Sequence, residues 1–106
     1  MTNSNTPSTP LSLYGFLRPR PEHAAFVKDL MLSLVDKTRL EEGNLEYHVH
    51  EHPDGTVFLY EVWRSQDDLD RHATLPELQE FFAHLDDYLQ VPLEAYAGTM
   101  VSAYAA

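Results

Sequence analysis

The 106-residue chain contains no cysteine. Without a thiol it has no disulfide, no thiolate nucleophile and no cysteine-ligated metal or iron–sulfur cluster. Basic residues are also scarce: 7 Lys and Arg stand against 17 Asp and Glu, which gives a formal net charge of -10. Proteins that bind nucleic acid or anionic membranes obtain much of their affinity from Lys and Arg, so this balance disfavours both partners.

Long apolar runs are missing too. No stretch approaches the roughly 20 apolar residues that cross a bilayer, and residues 1–10 lack the basic start and apolar run of a signal peptide. We therefore expect a cytoplasmic protein. Its composition, 43% hydrophobic and 11% aromatic, suffices for one core, and we predict a disordered tail over residues 1–9 and a single domain over residues 10–106.

Alternating apolar side chains predict four strands. The second and third should form a hairpin, because Pro53-Asp54-Gly55 between them is a strong turn signal. The four predicted strands cover residues 10–17, 45–51, 56–63 and 93–103.

Helical periodicity fills the remaining segments. One helix is predicted from Glu22 to about Glu42, with Gly43 as its left-handed C-cap. Two capping boxes, Ser65 with Asp68 and Thr74 with Glu77, predict the start of a short helix and of a last helix that ends before Pro92. The order β-α-β-β-α-α-β is that of a ferredoxin-like α+β fold with an antiparallel sheet.

The first and third predicted strands are apolar in both side-chain registers. A sheet that carries helices on one face only should instead alternate apolar with polar residues. Something must therefore cover the second face, and the chain has no spare element for it. We predict a homodimer in which a second copy of the same sheet does so.

Residues 42–50 resemble a strand signature of the antibiotic biosynthesis monooxygenase family. They hold an acidic residue and Gly43 at a helix end, followed by Tyr47 and then His50 three residues later. Residues 58–63 resemble the family's next strand.

The segment that follows carries the rest of the resemblance. In residues 65–82, as in the family, a helical histidine, here His72, stands just ahead of a proline and an aromatic residue. The resemblance covers about residues 11–101 and implies a ferredoxin-like monomer that pairs into a dimeric α+β barrel. Known members include cofactor-free oxygenases of quinols or aromatic polyketides, haem-degrading monooxygenases and an isomerase of a phosphorylated sugar, so the fold leaves the reaction open.

The haem-degrading branch is disfavoured within this resemblance. Its members carry an asparagine on the first strand, a tryptophan in the short helix and an iron-ligating histidine in the last helix. The matching positions here are Gly15, His72 and Phe82.

The catalytic candidates follow from what a cofactor-free oxygenase needs, which is a base, donors for a developing oxyanion and a dry pocket. We expect His72 to be the base or an orienting residue, because histidine titrates near neutral pH. Trp63 and Asn44 are the candidate donors. Both residues also have a purely structural interpretation. His72 could be hydrogen-bonded to the backbone at the edge of the core, and Trp63 could be packed inside the core.

Six further residues are candidate substrate-binding residues. Glu61 is a charge within an apolar strand and must be paired, hydrated or protonated, and the others could equally be packing or solvent-facing residues. A metal site on His48, His50 and His52 is disfavoured, because no matching carboxylate set follows. The six residues are Tyr47, His50, Tyr60, Glu61, Phe82 and Tyr88.

The leading hypothesis is a monooxygenase that needs no cofactor or metal and oxidises a small aromatic quinol or polyketide-like substrate with O₂. Two alternatives stay open. One is an isomerase of a small hydroxy-ketone that uses the same pocket, and the other is a non-catalytic dimer that binds a hydrophobic ligand.

Overall fold

The computed structural model describes residues 9–104, in which helices pack against one face of a four-stranded sheet. The predicted tail therefore lies outside the described residues, except for Thr9. In chain order the elements are β1 (Leu11–Leu17), a 3₁₀ turn (Pro21–His23), α1 (Ala24–Ser33), α2 (Val35–Arg39), β2 (Asn44–Glu51), β3 (Val57–Trp63), α3 (Gln66–His72), α4 (Pro76–Ala83), α5 (Leu85–Tyr88) and β4 (Glu94–Thr99).

The strand order is β2-β3-β1-β4, and every neighbouring pair is antiparallel. β3 therefore lies between β1 and β2, the two strands that the first helical segment connects, as in a split βαβ unit. This order confirms the predicted ferredoxin-like α+β fold. Among the helices of residues 9–104, none is long and apolar enough to cross a membrane.

The core lies between the helices and one face of the sheet. Leu17 and Val57, cross-strand neighbours on β1 and β3, pack there with side chains from α1 and α4. All of its central members are at most 6% exposed. They are Leu17, Val27, Met31, Leu34, Val57, Leu78, Phe81 and Leu89.

Both long helices predicted from the sequence are shorter and divided. The first runs over residues 24–39 and breaks at Leu34, whose N–H donates to the Met31 carbonyl three residues back, a spacing tighter than that of an α-helix. The last breaks at His84 in the same way, with its N–H on the carbonyl of Phe81. Phe82, a candidate substrate-binding residue on this helix, is 44% exposed.

The two predicted capping boxes have different outcomes. Ser65 caps α3, since its hydroxyl accepts the N–H of Asp68 at 3.2 Å. The second prediction was wrong, because the Thr74 hydroxyl donates to the Arg71 carbonyl at 2.7 Å and caps no helix. The Glu77 carboxylate pairs with a lysine of α2.

The hairpin between β2 and β3 is confirmed, with Gly55 in the left-handed conformation at φ +88°. β2 carries a bulge that its alternation does not reveal. Asn44 pairs with Trp63 and Glu46 with Val62, so Leu45 is left over and is 51% exposed.

The sheet face opposite the helices carries a row of aromatic side chains, which we call the aromatic row. It runs across all four strands, because His48, Tyr60, Tyr14 and Tyr96 are successive cross-strand partners. Tyr14 and Tyr96 lie 5.9 Å apart between ring centroids and are 37% and 50% exposed. The central strands are thus apolar on both faces, as predicted.

Asp68 connects three parts of the chain near the end of the sheet. Its side chain is only 1% exposed, and it accepts hydrogen bonds from Arg64 at 2.9 Å, Ser65 at 2.8 Å and Arg71 at 3.0 Å. These donors, first of all Arg64, hold the pKa of the Asp68 carboxyl at about 2. Gly43 packs directly against the carboxylate, and we call these five residues the Asp68 cluster.

Gly43 and Gly55 offer a matched pair of substitutions. Both have φ between +80° and +90°, so alanine at either position costs about 1–2 kcal/mol of backbone strain. A Cβ at Gly43 would also lie 2.1 Å from Asp68 Cγ, whereas one at Gly55 meets nothing within 4 Å. We expect Gly43→Ala to lower the free energy of unfolding in urea about twice as much as Gly55→Ala, or more. Equal losses would contradict this account of Gly43.

Candidate functional site

A cavity of about 80 Å³ lies between the sheet and helices α3 and α4. Its wall is formed by leucine, methionine and phenylalanine side chains except at one end. Three polar side chains line that end, and they come from three different elements: Tyr47 from β2, Glu61 from β3 and His72 from α3.

His72 lies between two carboxylates and is 3% exposed. It follows Asp68 by one helical turn, so the two buried side chains lie on the same face of α3. Its Nδ1 lies 3.0 Å from Glu41 Oε2, and its Nε2 lies 3.8 Å from Glu61 Oε1. Because a carboxylate can only accept, the hydrogen bond to Glu41 requires a proton on Nδ1.

Glu61 is a buried acid that is 5% exposed. It lies between its cross-strand neighbours Leu13 and Tyr47, and the indole N–H of Trp63 donates to Oε1 at 3.0 Å. Burial raises the pKa of Glu61, and this outweighs the hydrogen bond from Trp63 and the proximity of His72, which both favour the carboxylate.

Tyr47 brings a phenol to this end of the cavity. Burial, followed by the negative charges of Glu61 and Glu41, raises the pKa of its hydroxyl. The phenol therefore stays protonated. Its ring meets His72 edge-on, with centroids 5.8 Å apart.

Five of the residues predicted from the sequence come together here. Four line the cavity: Tyr47, Glu61, His72 and Phe82. Trp63 is 0% exposed and packs on the His72 ring with centroids 4.8 Å apart. Its N–H points to Glu61 and not into the cavity, so Trp63 acts on the site through that carboxylate.

The other four predicted residues lie away from the cavity. Asn44 donates to the Glu46 carbonyl at 3.1 Å at the start of β2. His50 and Tyr60 belong to the opposite face of the sheet, and Tyr88 packs among aromatic side chains of α1 and α4. Within residues 9–104, no three His, Asp or Glu side chains form an arrangement that could hold a metal ion.

Glu41 is the site residue that the sequence did not indicate. It follows α2 and contacts His72 across 31 residues of sequence. The nearest signal is its position three residues after the buried Thr38, which places it on the inward side of the same helical turn. That spacing gives no indication of a partner so distant in the chain.

Comparison with known proteins finds one matching family model and one related protein of similar length. The model of the family described as "Antibiotic biosynthesis monooxygenase" matches residues 10–84. The protein named "Putative monooxygenase Rv0793" of Mycobacterium tuberculosis is 28% identical over 87 residues, which are 81% of this chain and 86% of that protein.

Solved structures agree on the fold. That of Rv0793 from Mycobacterium tuberculosis has a TM-score of 0.82 at 24% identity and covers 92% of this chain and 100% of its own. The crystal structure of PA3566 from Pseudomonas aeruginosa has a TM-score of 0.80 at 26% identity, and the match covers 91% of this chain and 98% of the PA3566 chain.

The raised pKa of the buried Glu61 leads to a prediction about how stability changes with pH. Because the pKa of Glu61 is raised in the folded state, the protein should lose stability as pH rises from the ordinary glutamate pKa of 4.5 through the folded-state value. Glu61→Gln keeps an oxygen acceptor for Trp63 without the charge, so we expect this variant to unfold at higher urea than the wild type at pH 8. The difference should shrink toward pH 5.

Glu51→Gln is the control for this measurement, because Glu51 is also a strand residue but its side chain is 53% exposed. Its free energy of unfolding should stay within about 0.5 kcal/mol of wild type at both pH values. A Glu61→Gln variant less stable than wild type at pH 8 would show that the ionised carboxylate stabilises the fold.

Proposed function

The chain belongs to the antibiotic biosynthesis monooxygenase family, and from this premise we propose that it is a cofactor-independent monooxygenase. Its substrate is a small aromatic quinol or polyketide-like molecule, and its oxidant is O₂. The observation that carries the proposal is the buried His72, which donates to Glu41 and turns its other nitrogen toward Glu61 at the polar end of an apolar cavity.

The reaction begins with removal of a proton from a substrate hydroxyl. Nε2 of His72 takes this proton, and the imidazolium is stabilised by the two carboxylates that flank it. Tyr47, kept protonated by its surroundings, donates to the substrate oxyanion. An electron-rich anion of this kind passes an electron to O₂ itself, which is why no metal or flavin is needed.

The later steps balance without a further reagent. The substrate radical and superoxide combine into a C–O–O⁻ group, which regains the proton from His72 and becomes a hydroperoxide. The O–O bond then breaks as the remaining hydrogen leaves the same carbon. The substrate loses two hydrogens and gains one oxygen as a carbonyl, and the second oxygen atom leaves in water.

The size of the cavity favours a small substrate. At about 80 Å³ it is smaller than the roughly 150 Å³ of a protein cavity that binds benzene. A single hydroxylated ring is therefore the largest part of a substrate that enters the cavity after a modest movement of the wall, so the further rings of an anthrone would lie outside it. Phe82, which is 44% exposed and lines the cavity, is the side chain best placed to make that movement.

Haem does not fit this site. A Cβ at Gly15, the position that matches the asparagine of the haem-degrading branch, would lie 2.9 Å from the Glu94 carbonyl oxygen of β4. The backbone therefore leaves no room for that side chain, and the cavity is far smaller than the roughly 300–1,000 Å³ that larger ligands need.

The protein works as a homodimer in this proposal. The aromatic row is the surface that a second sheet would cover, because it crosses all four strands and includes two tyrosines that stay 37% and 50% exposed. A cytoplasmic location stays a prediction from the sequence.

Oxygen consumption tests the enzymatic proposal. Protein freed of metal by chelation should consume O₂ with a panel of small hydroquinones and anthrones, and His72→Ala should lower kcat about 10²- to 10⁴-fold. His84→Ala is the control, since His84 is an exposed histidine at the end of α4 and should change little. Turnover of a hydroxy-ketone without O₂ would favour the isomerase, and ligand binding without turnover would favour a non-catalytic dimer.

Sedimentation tests the dimer. We expect the wild-type protein to sediment as a dimer, and Tyr14→Glu to weaken association about 100-fold, because a carboxylate buried between two sheets costs about 3 kcal/mol. Leu40→Glu is the control, since Leu40 is 87% exposed and lies after α2, outside the sheet. A wild-type monomer at high protein concentration would overturn the proposal.

A further inference from the structure

We propose that Glu41 is a positioning residue that selects the tautomer of His72 and so directs its basic nitrogen into the cavity. The kinetic consequence of this inference rests on the proposed function. The tautomer itself does not, because it is a property of the resting protein.

The position of Glu41 is fixed by its backbone on both sides. Its N–H donates to the Thr38 carbonyl at 2.9 Å, and its own carbonyl accepts the N–H of Asn44 at 3.2 Å. Gly43 of the Asp68 cluster lies two residues after Glu41. The carboxylate is therefore presented to His72 from a constrained turn and not from a free helix end.

Two carboxylates compete for the single ring proton of neutral His72. Glu41 Oε2 lies 3.0 Å from Nδ1, within hydrogen-bond distance, while Glu61 Oε1 lies 3.8 Å from Nε2, beyond it. Glu61 Oε1 also already accepts the Trp63 indole N–H. The proton therefore resides on Nδ1, and Nε2 keeps the lone pair.

Removing Glu41 should reverse this preference. In Glu41→Ala the remaining carboxylate next to the ring is Glu61, so the ring proton should move to Nε2 and point at Glu61. The lone pair would then face the former Glu41 site, on the side away from Glu61. Tyr47 and Trp63 complete the surroundings of the ring, but neither is an anion that could hold the proton on Nδ1.

Nitrogen-15 NMR of histidine-labelled protein at pH 8 reads the tautomer directly, with the His72 signals assigned by their loss in His72→Ala. We expect wild type to be protonated on Nδ1 and Glu41→Ala largely on Nε2. Glu41→Gln is nearly isosteric and should show a mixture, because an amide can either accept from Nδ1 or donate to it. Glu42→Ala is the matched control, since the Glu42 carboxylate faces Arg64 and its side chain is 69% exposed.

The kinetic measurement uses the same variants with the hydroquinone that wild type turns over. We expect kcat to fall about 10- to 100-fold in Glu41→Ala, by less in Glu41→Gln and not in Glu42→Ala, with KM changed less than threefold. A loss confined to KM would contradict positioning of the base.

The two proposals fail in distinguishable ways. Wild type protonated on Nε2, or Glu41→Ala still protonated on Nδ1, would overturn the role of Glu41 even if the protein consumes O₂. Wild type protonated on Nδ1 with no O₂ uptake on any substrate would overturn the monooxygenase and leave the tautomer assignment standing.

Discussion

The buried carboxylate of Asp68 is the interaction on which the site depends. Arg64 follows β3, Arg71 belongs to α3 and Gly43 precedes β2, so one carboxylate holds together the ends of three elements. Each functional group lies within four residues of a member of this cluster: Glu41, Glu61, Trp63 and His72. The hydrogen bonds and ion pairs of the Asp68 cluster thus hold the segments that carry the site.

The site places polar groups in surroundings that disfavour their charged forms. Glu61 would be easier to bury as a neutral amide, and Tyr47 resists ionisation for the same reason. Such an arrangement reduces stability and is therefore typical of function, because a purely structural core would fill these positions with apolar side chains. His72 lies between Glu41 and Glu61, so a proton that it takes from a ligand is stabilised by two neighbouring acidic side chains.

Much of the fold was readable from the sequence, because strand alternation, the Pro53-Asp54-Gly55 turn and Gly43 act locally. The breaks at Leu34 and His84 could not be read from the sequence, since neither position is marked by a glycine or a proline. The bulge at Leu45 is set by pairing with β3 and leaves no mark in the alternation.

The same division applies to the site. Glu61 stood out as a charge on an apolar strand and His72 as the helical histidine of the family resemblance, and both line the cavity. The bond from Trp63 to Glu61 was within reach of sequence reasoning, because residues two apart on a strand share a face. The role of Glu41 could not be predicted from the sequence, since its partner His72 lies 31 residues away. Asn44 and Tyr60 have suitable chemistry but the wrong position. Asn44 lies at the start of β2 before the bulge, and Tyr60 follows β3's alternation to the face opposite its neighbour Glu61.

The sheet wall and the helix wall of the cavity differ in adaptability, because Gly15, which lies between the lining residues Leu13 and Leu17 on β1, closely approaches the Glu94 carbonyl of β4. On the sheet side, any added side chain at Gly15 must push β4 away, and that strand is paired along most of its length. On the helix side, Phe82 stands on an eight-residue helix that ends at a break, with open solvent beyond it. The cavity can therefore be reshaped more easily by substitutions in α4 than by substitutions in the sheet that carries Glu61.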